Sequence, residues 1–232
     1  MKIFSKQLLM ASTDAGGIPK GTVIFESATA GMYSVDLPED GLYEIIAVGG
    51  GGGAGLMAIG GQQYTIAVAA SGGSGAVVHG IFKVNAGTQS VIVGALGTSA
   101  TMAAAGVAAS TAGGSTSVGL LCSVNGGGRG LAGFGNPVTQ EGGAGGTVAS
   151  YDSSALTSSI KISSGTAGTY NRWWTGNKDG TVSVSTVASP YPPYGAGSGG
   201  SATTRYYRNT VAGFSHSYGS AGYVKIIYQG KS

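Results

Sequence analysis

Leu42-Tyr-Glu-Ile-Ile-Ala-Val48 runs without a break into Gly49-Gly-Gly-Gly-Gly53-Ala54-Gly55, and the reading of that junction decides the fold. The first half is a β-strand on composition: Ile45, Ile46 and Val48 are β-branched, and nothing in the run breaks an extended chain. The second half offers no side chain to pack. A polyglycine segment is either disordered or laid backbone against backbone, because only a missing Cβ permits that approach. Glycine clusters return at 72–75, 113–114, 126–130, 142–146, 195–200 and 219–222, with short β-type runs or aromatic-bearing stretches between them.

Composition selects the ordered alternative. Glycine supplies 46 of 232 residues, about three times the usual share. Disorder calls for low hydrophobicity and high net charge, whereas this chain is 42% hydrophobic and 9% charged, with a net charge of +3. Collagen is excluded by the 6 prolines and by the lack of a Gly-X-Y period. The 12 basic residues are scattered singly, so no stripe exists to neutralise a run of phosphates and no nucleic acid is expected as a partner. One cysteine, Cys122, rules out an intrachain disulfide framework. Its apolar setting, Val118-Gly-Leu-Leu-Cys122, reads as a small buried hydrophobe. The apolar run in Met1–Met10 is too short and interrupted for a signal core, and no segment approaches a membrane span. Synthesis in a cytoplasm and no membrane insertion are the expectations.

In chain order, residues 1–30 read as an attachment or linker segment, with Asp14-Ala-Gly-Gly-Ile-Pro-Lys20 as a joint. The glycine-rich β domain spans 31–232. Met32–Leu37, a turn at Pro38–Gly41 and Leu42–Val48 predict a hairpin. Tyr64–Val68, Ala76–Val84 and Ser90–Val93 predict further strands of an antiparallel sandwich, Ser117–Val124 is a candidate for another, and Thr181–Val187 alternates as a half-buried strand. Alanine-rich Ala100–Ala112 has helix propensity at Met102–Ala105, which Gly106 and the β-branched residues after it limit to a short helix at most. Gly222–Tyr228 predicts a last strand beside 42–48. The region from about 129 to 220 reads as loop-rich. The fold class is thus mainly β: a sandwich-like antiparallel framework with glycine-rich segments and long loops.

Enzyme signatures fail in turn. Gly50, Gly52 and Gly55 meet the dinucleotide-binding spacing after a strand, but no Asp or Glu lies between Glu44 and Glu141 to hold a ribose, and the following residues make a poor helix. No phosphate-binding loop and no serine-hydrolase elbow occurs. His79 falls in a predicted strand and reads as structural. No enzymatic activity, metal or cofactor is expected.

The aromatic stretches carry the sharper signal. Tyr170, Arg172, Trp173 and Trp174 are flanked by polar residues; Tyr191 and Tyr194 sit in proline-stiffened Ser189-Pro-Tyr-Pro-Pro-Tyr194; Arg205, Tyr206 and Tyr207 place cations beside rings; and His216 lies in Ser-His-Ser-Tyr218. Trp, Tyr and Arg dominate recognition surfaces, and prolines lower the entropy lost on binding. These residues form the candidate receptor-binding set. One Trp of the pair is expected instead to close a local core.

The run Tyr33–Gly53, with Gly72-Gly-Ser-Gly-Ala-Val-Val, Val84-Asn-Ala-Gly-Thr-Gln-Ser-Val-Ile-Val-Gly94, Gly113-Gly-Ser-Thr-Ser117 and the terminal Gly-Tyr-Val-Lys-Ile, resembles the glycine-rich domains of bacteriophage tail-fibre tips and adhesins. A similar arrangement occurs in the glycine-rich extracellular region of certain receptor tyrosine kinases. The resemblance covers roughly 31–128 and 219–228. It implies a β framework holding a bundle of polyglycine II helices, built here from 49–55, 126–130, 142–146 and 195–200, with receptor-facing loops around 151–194 and 203–218. It further implies a virion protein that binds a bacterial surface receptor, protein or glycan, alongside other virion proteins, as a homotrimer or as a monomer capping a trimeric fibre. The short segment before Gly31 departs from adhesins with a substantial fibre-binding domain. The alternative reading is therefore a virion structural protein, a capsid decoration or minor appendage component, whose loops mediate assembly.

Overall fold

Two periodicities organise the chain, a period of two in the strands and a period of three in the glycine segments between them. The computed structural model describes residues 17–60, 65–102, 106–108, 110–134, 140–175, 180–188, 197, 199–207 and 210–232. Among them there is no helix, so Ala100–Ala112, with its short-helix propensity, instead contributes strands at Ala100–Met102 and Gly106–Ala108.

One end of the molecule is a β-sandwich. Its first sheet orders β1 (Val23–Ser27), β20 (Tyr223–Gly230), β3 (Gly41–Val48), β6 (Val77–Val84) and β15 (Leu156–Ser163). The second orders β14 (Val148–Tyr151), β11 (Cys122–Val124), β10 (Thr116–Val118), β7 (Gly87–Val93) and β2 (Gly31–Leu37). Every pairing in both sheets is antiparallel. β20 lies beside β3 as expected, Tyr223 opposite Val48. The predicted β2–β3 hairpin does not form: β2 pairs with β7 in the opposite sheet. The reason is that a strand has two edges, and β20 and β6 occupy both edges of β3. β1 falls within the segment read as a linker, and Ile24 and Phe25 pack on the core.

The inner faces meet over Val35, Tyr43, Ile45, Val78, Phe82, Val91, Val118, Val224, Ile226 and Tyr228, among others. Each fully buried apolar side chain of this size stabilises by roughly 1.5–3 kcal/mol. Cys122 belongs to this core as expected, and burial pushes its thiol pKa up to about 12. His79 is likewise structural: buried, its Nε2 lies 2.7 Å from Glu44 Oε1, and Gln229 Nε2 donates to the other oxygen at 2.6 Å. On the same face the Tyr223 hydroxyl, with Lys225 beside it, holds the Glu26 carboxyl below its usual range against the opposing effect of burial.

The glycine segments rise from this sandwich. The N–H groups of Gly49, Gly50 and Gly51 donate to the carbonyls of Ala76, Gly114 and Ser220. Gly52 and Gly53 then return to the first two of those neighbouring segments, donating to Gly73 and Thr111. Residues 71–76 repeat the rule: donors 71 and 74 go to 169 and 166, donors 72 and 75 to 200 and 197, and donors 73 and 76 to 128 and 125. Successive N–H groups thus point to a new neighbour at each residue and come back after three. That is the geometry of a helix with three residues per turn and no internal hydrogen bonds.

Segment 49–54 sits at the centre. It donates to 71–76, 110–114 and 217–222, and accepts from 97 and 100, from 127 and 130, and from 200. Neighbours run both ways: 71–76 and 110–114 are antiparallel to it, while 94–100 and 125–130 are parallel, as the order of the bonded pairs requires. The bundle therefore holds described residues of all four segments expected from the resemblance, and also 71–76, 94–99, 110–115, 164–169 and 217–222.

Side chains that enter the bundle are small and bonded. Thr116 Oγ1, fully buried where sandwich meets bundle, donates to the Val48 carbonyl (2.8 Å) and accepts from the Gly94 N–H (3.0 Å). Thr116→Val keeps the shape and strands both groups, so it is expected to cost about 2 kcal/mol and lower Tm by about 4–8 °C in thermal melts. Thr116→Ser should recover most of that loss.

Candidate functional site

The bundle delivers its segments to a second set of strands at the far end. β4 (Gly55–Gly60), β5 (Thr65–Ala70), β8 (Ala100–Met102) and β16 (Tyr170–Thr175) form one sheet; β9 (Gly106–Ala108), β12 (Leu131–Phe134) and β13 (Gln140–Glu141) a second; β17 (Gly180–Val184), β18 (Ala202–Tyr207) and β19 (Thr210–His216) a third. Met57, Val68, Ala70 and Ala132 make a small core under the first two, and β17 and β18 pack against β5.

Where the sequence reading places loops, all of the described candidates stand on strands. β16 is one of the two edge strands of its sheet and runs antiparallel to β5, setting Tyr170 opposite Ala70, Arg172 opposite Val68, Trp173 opposite Ala67 and Trp174 opposite Ile66. β18 sets Arg205 between Thr181 and Gly213, and Tyr206 between Gly180 and Val211; Tyr207 faces Thr210. Tyr191 and Tyr194 lie outside the described residues. The predicted strand at 181–187 is β17, with Val187 continuing to a bridge with Gly199.

The register also ranks these residues by height. Tyr170 directly follows the glycine segment 164–169, and His216 directly precedes 217–222, so both stand at the bundle's end. Trp174 lies four residues further along β16, about 13 Å beyond Tyr170 at strand rise. Segments 164–169 and 197–200 both bond to 71–76, and Gly197 donates to Ala221 at 2.9 Å. The described candidates therefore share the side of the molecule built by the C-terminal third of the chain.

Two described aromatics there are open to solvent: Tyr170 is 57% exposed and Tyr218 55%. Tyr218 was not among the site residues read from sequence. Its ring packs on exposed His216, centroids 5.6 Å apart and planes inclined at 53°. The sequence signal for it is proximity alone, since Tyr218 follows His216 by two residues, just past the end of β19. The backbone between the rings is fixed by Ser217, whose N–H donates to the Ser201 carbonyl (2.9 Å) and whose carbonyl accepts from Ser99 Oγ (2.7 Å).

Chemically the described side chains here offer rings and hydroxyls, and Arg172 and Arg205 hold positions on β16 and β18. No group of three or more His, Cys, Asp or Glu among the described residues could hold a metal ion, and no described helix is long and apolar enough to cross a membrane. Residues 27–230 match the family model described as a glycine-rich domain. No curated protein matches the chain.

Proposed function

We propose for this chain, which belongs to the glycine-rich domain family, a role as a non-enzymatic receptor-binding protein of the bacteriophage tail-fibre tip kind, recognising a bacterial surface molecule. The observation that carries this reading is the division of labour along the molecule. A sandwich and a hydrogen-bonded glycine bundle form a stiff body, and exposed aromatics stand where that body ends in strands. Rigid support of this kind lowers the ordering cost of binding. The charge-poor composition and the resemblance to tail-fibre tips point the same way.

The strand context changes what the tryptophans are expected to do. Trp173 and Trp174 hold successive positions of β16, and successive strand positions belong to opposite faces of a sheet. Substituted singly by alanine, one should weaken cell binding about 30-fold or more with Tm unchanged, and the other should lower Tm instead. The assay is titration of fluorescently labelled protein onto a panel of bacterial strains, with thermal melts in parallel. Saturable binding to particular strains supports recognition. No binding to any strain, together with a stable oligomer in solution, favours the assembly reading, in which these strands pack against neighbouring virion subunits.

A further inference from the structure

Recognition by this end leaves the chemistry of the ligand open, and the surface around Tyr218 narrows it. Three properties coincide there. The first is an exposed ring pair: Tyr218 and His216 present an inclined aromatic wedge that nothing in the described structure covers. The second is the company it keeps, since exposed Ser215 and Ser217 alternate with the two rings along the chain and the Ser201 and Ser217 hydroxyls lie 2.9 Å apart. The third is a lack of charge in the segments bonded to it: 215–222 itself, 94–99 and 199–203 contain no Asp, Glu, Lys or Arg, while Arg205 stands three positions along β18 from Ala202, the partner of His216.

These properties match one class of ligand better than another. A protein epitope is usually gripped by anchors that fill desolvated pockets; here the rings project from an open surface. A pyranose ring has a face of C–H groups, which lies on an aromatic ring, and a rim of hydroxyls, which exchange hydrogen bonds with serine hydroxyls and backbone. An acidic sugar would need a cation against the rings, and the segments bonded to this stretch, 94–99 and 199–203, hold no Lys or Arg. The platform is also preorganised, because Ser217 between the rings is bonded to Ser201 and Ser99, and Gly219 donates to Gly97 at 3.0 Å.

Resting on the recognition reading above, we propose that His216 and Tyr218 form a stacking platform for the pyranose ring of an uncharged saccharide, so that the surface molecule recognised is a neutral glycan.

The test is an array of neutral hexose oligosaccharides beside sialylated and sulfated ones, probed with the full-length protein, wild type and variants. Binding to neutral members is expected, with Tyr218→Ala weakening it by about 10-fold or more while Tyr218→Phe, which keeps the ring, stays within about threefold. Raising NaCl from about 0.05 to 0.5 M should change affinity less than about twofold, because no ion pair is involved. Failure to bind any neutral member, binding confined to acidic members, or unchanged binding by Tyr218→Ala overturns the proposal. Cells separate this from the wider reading. If labelled protein binds cells and protease treatment abolishes binding while mild periodate does not, recognition stands and its ligand is a protein. If neither cells nor array bind, both readings fall.

Discussion

Gly52→Ala is expected to destabilise this protein by more than about 4 kcal/mol, a loss in the exceptional range for one substitution and comparable to the whole stability of many domains. A methyl group on Gly52 would lie inside contact distance of the carbonyl oxygens of Gly128 and Gly127, and these are backbone atoms that cannot rotate away. Gly53 meets Thr98 in the same way, and Gly72 meets Gly52 itself. The sign of the result is what makes it informative. Gly52 does not adopt a positive φ, so alanine is conformationally acceptable there and, on chain entropy alone, should stabilise by about 0.4–1 kcal/mol. A melting temperature equal to or above wild type would therefore refute close backbone packing in the bundle. Ala112→Ser, at an exposed bundle position, is the matched control and should fall within about 0.5 kcal/mol of wild type.

The second large effect lies in the sandwich. Phe82 is fully buried in the core shared by the two five-stranded sheets. Phe82→Ala removes most of a ring and leaves a cavity between close-packed layers, which should cost about 3–5 kcal/mol and lower Tm by about 6–20 °C. Denaturant titration of the variant gives the figure directly. Met32, 78% exposed on β2, provides the contrast: Met32→Ala should leave the midpoint almost unchanged. If both losses appear in full in one cooperative transition, sandwich and bundle unfold together. That outcome is expected, since Thr116 and the connecting strands tie one to the other.

Much of the strand framework was legible because its signal is local. β3, β6, β7 and β20 fall close to the runs marked by β-branched residues, and the buried positions of β7 alternate, Val91 and Val93 inward with Ile92 between them exposed. Pairing partners were less legible. Pro38–Gly41 has the composition of a hairpin turn, yet the strands it joins belong to opposite sheets, because alternation specifies which face is buried and says nothing about which edge is free. Residues 94–99 and 164–169 do not read as bundle members from sequence because they carry no glycine cluster. Their mark is glycine at every third position, Gly94 and Gly97, Gly165 and Gly168, the spacing a threefold helix needs when only one of its sides is crowded.

The candidate site shows the same division. Tyr170, Trp173, Trp174 and their polar neighbours look like a loop because no apolar alternation runs through them. An outermost strand needs none, since the backbone bonds to β5 hold it in place. His216 was readable as an exposed recognition residue, but its ring contact with Tyr218 depends on where the chain turns from β19 into the bundle.

By itself the sequence determined that this protein is mainly β and that its glycine-rich segments are ordered. Those properties follow from composition and from periods of two or three residues. Tertiary structure decided the rest. A lone glycine segment makes no hydrogen bonds within itself and loses more entropy on ordering than any other sequence, so it acquires a conformation only when neighbours on several sides supply its partners. Which segments meet, in which direction, and which aromatics they carry to one side are settled by that mutual satisfaction of backbone groups.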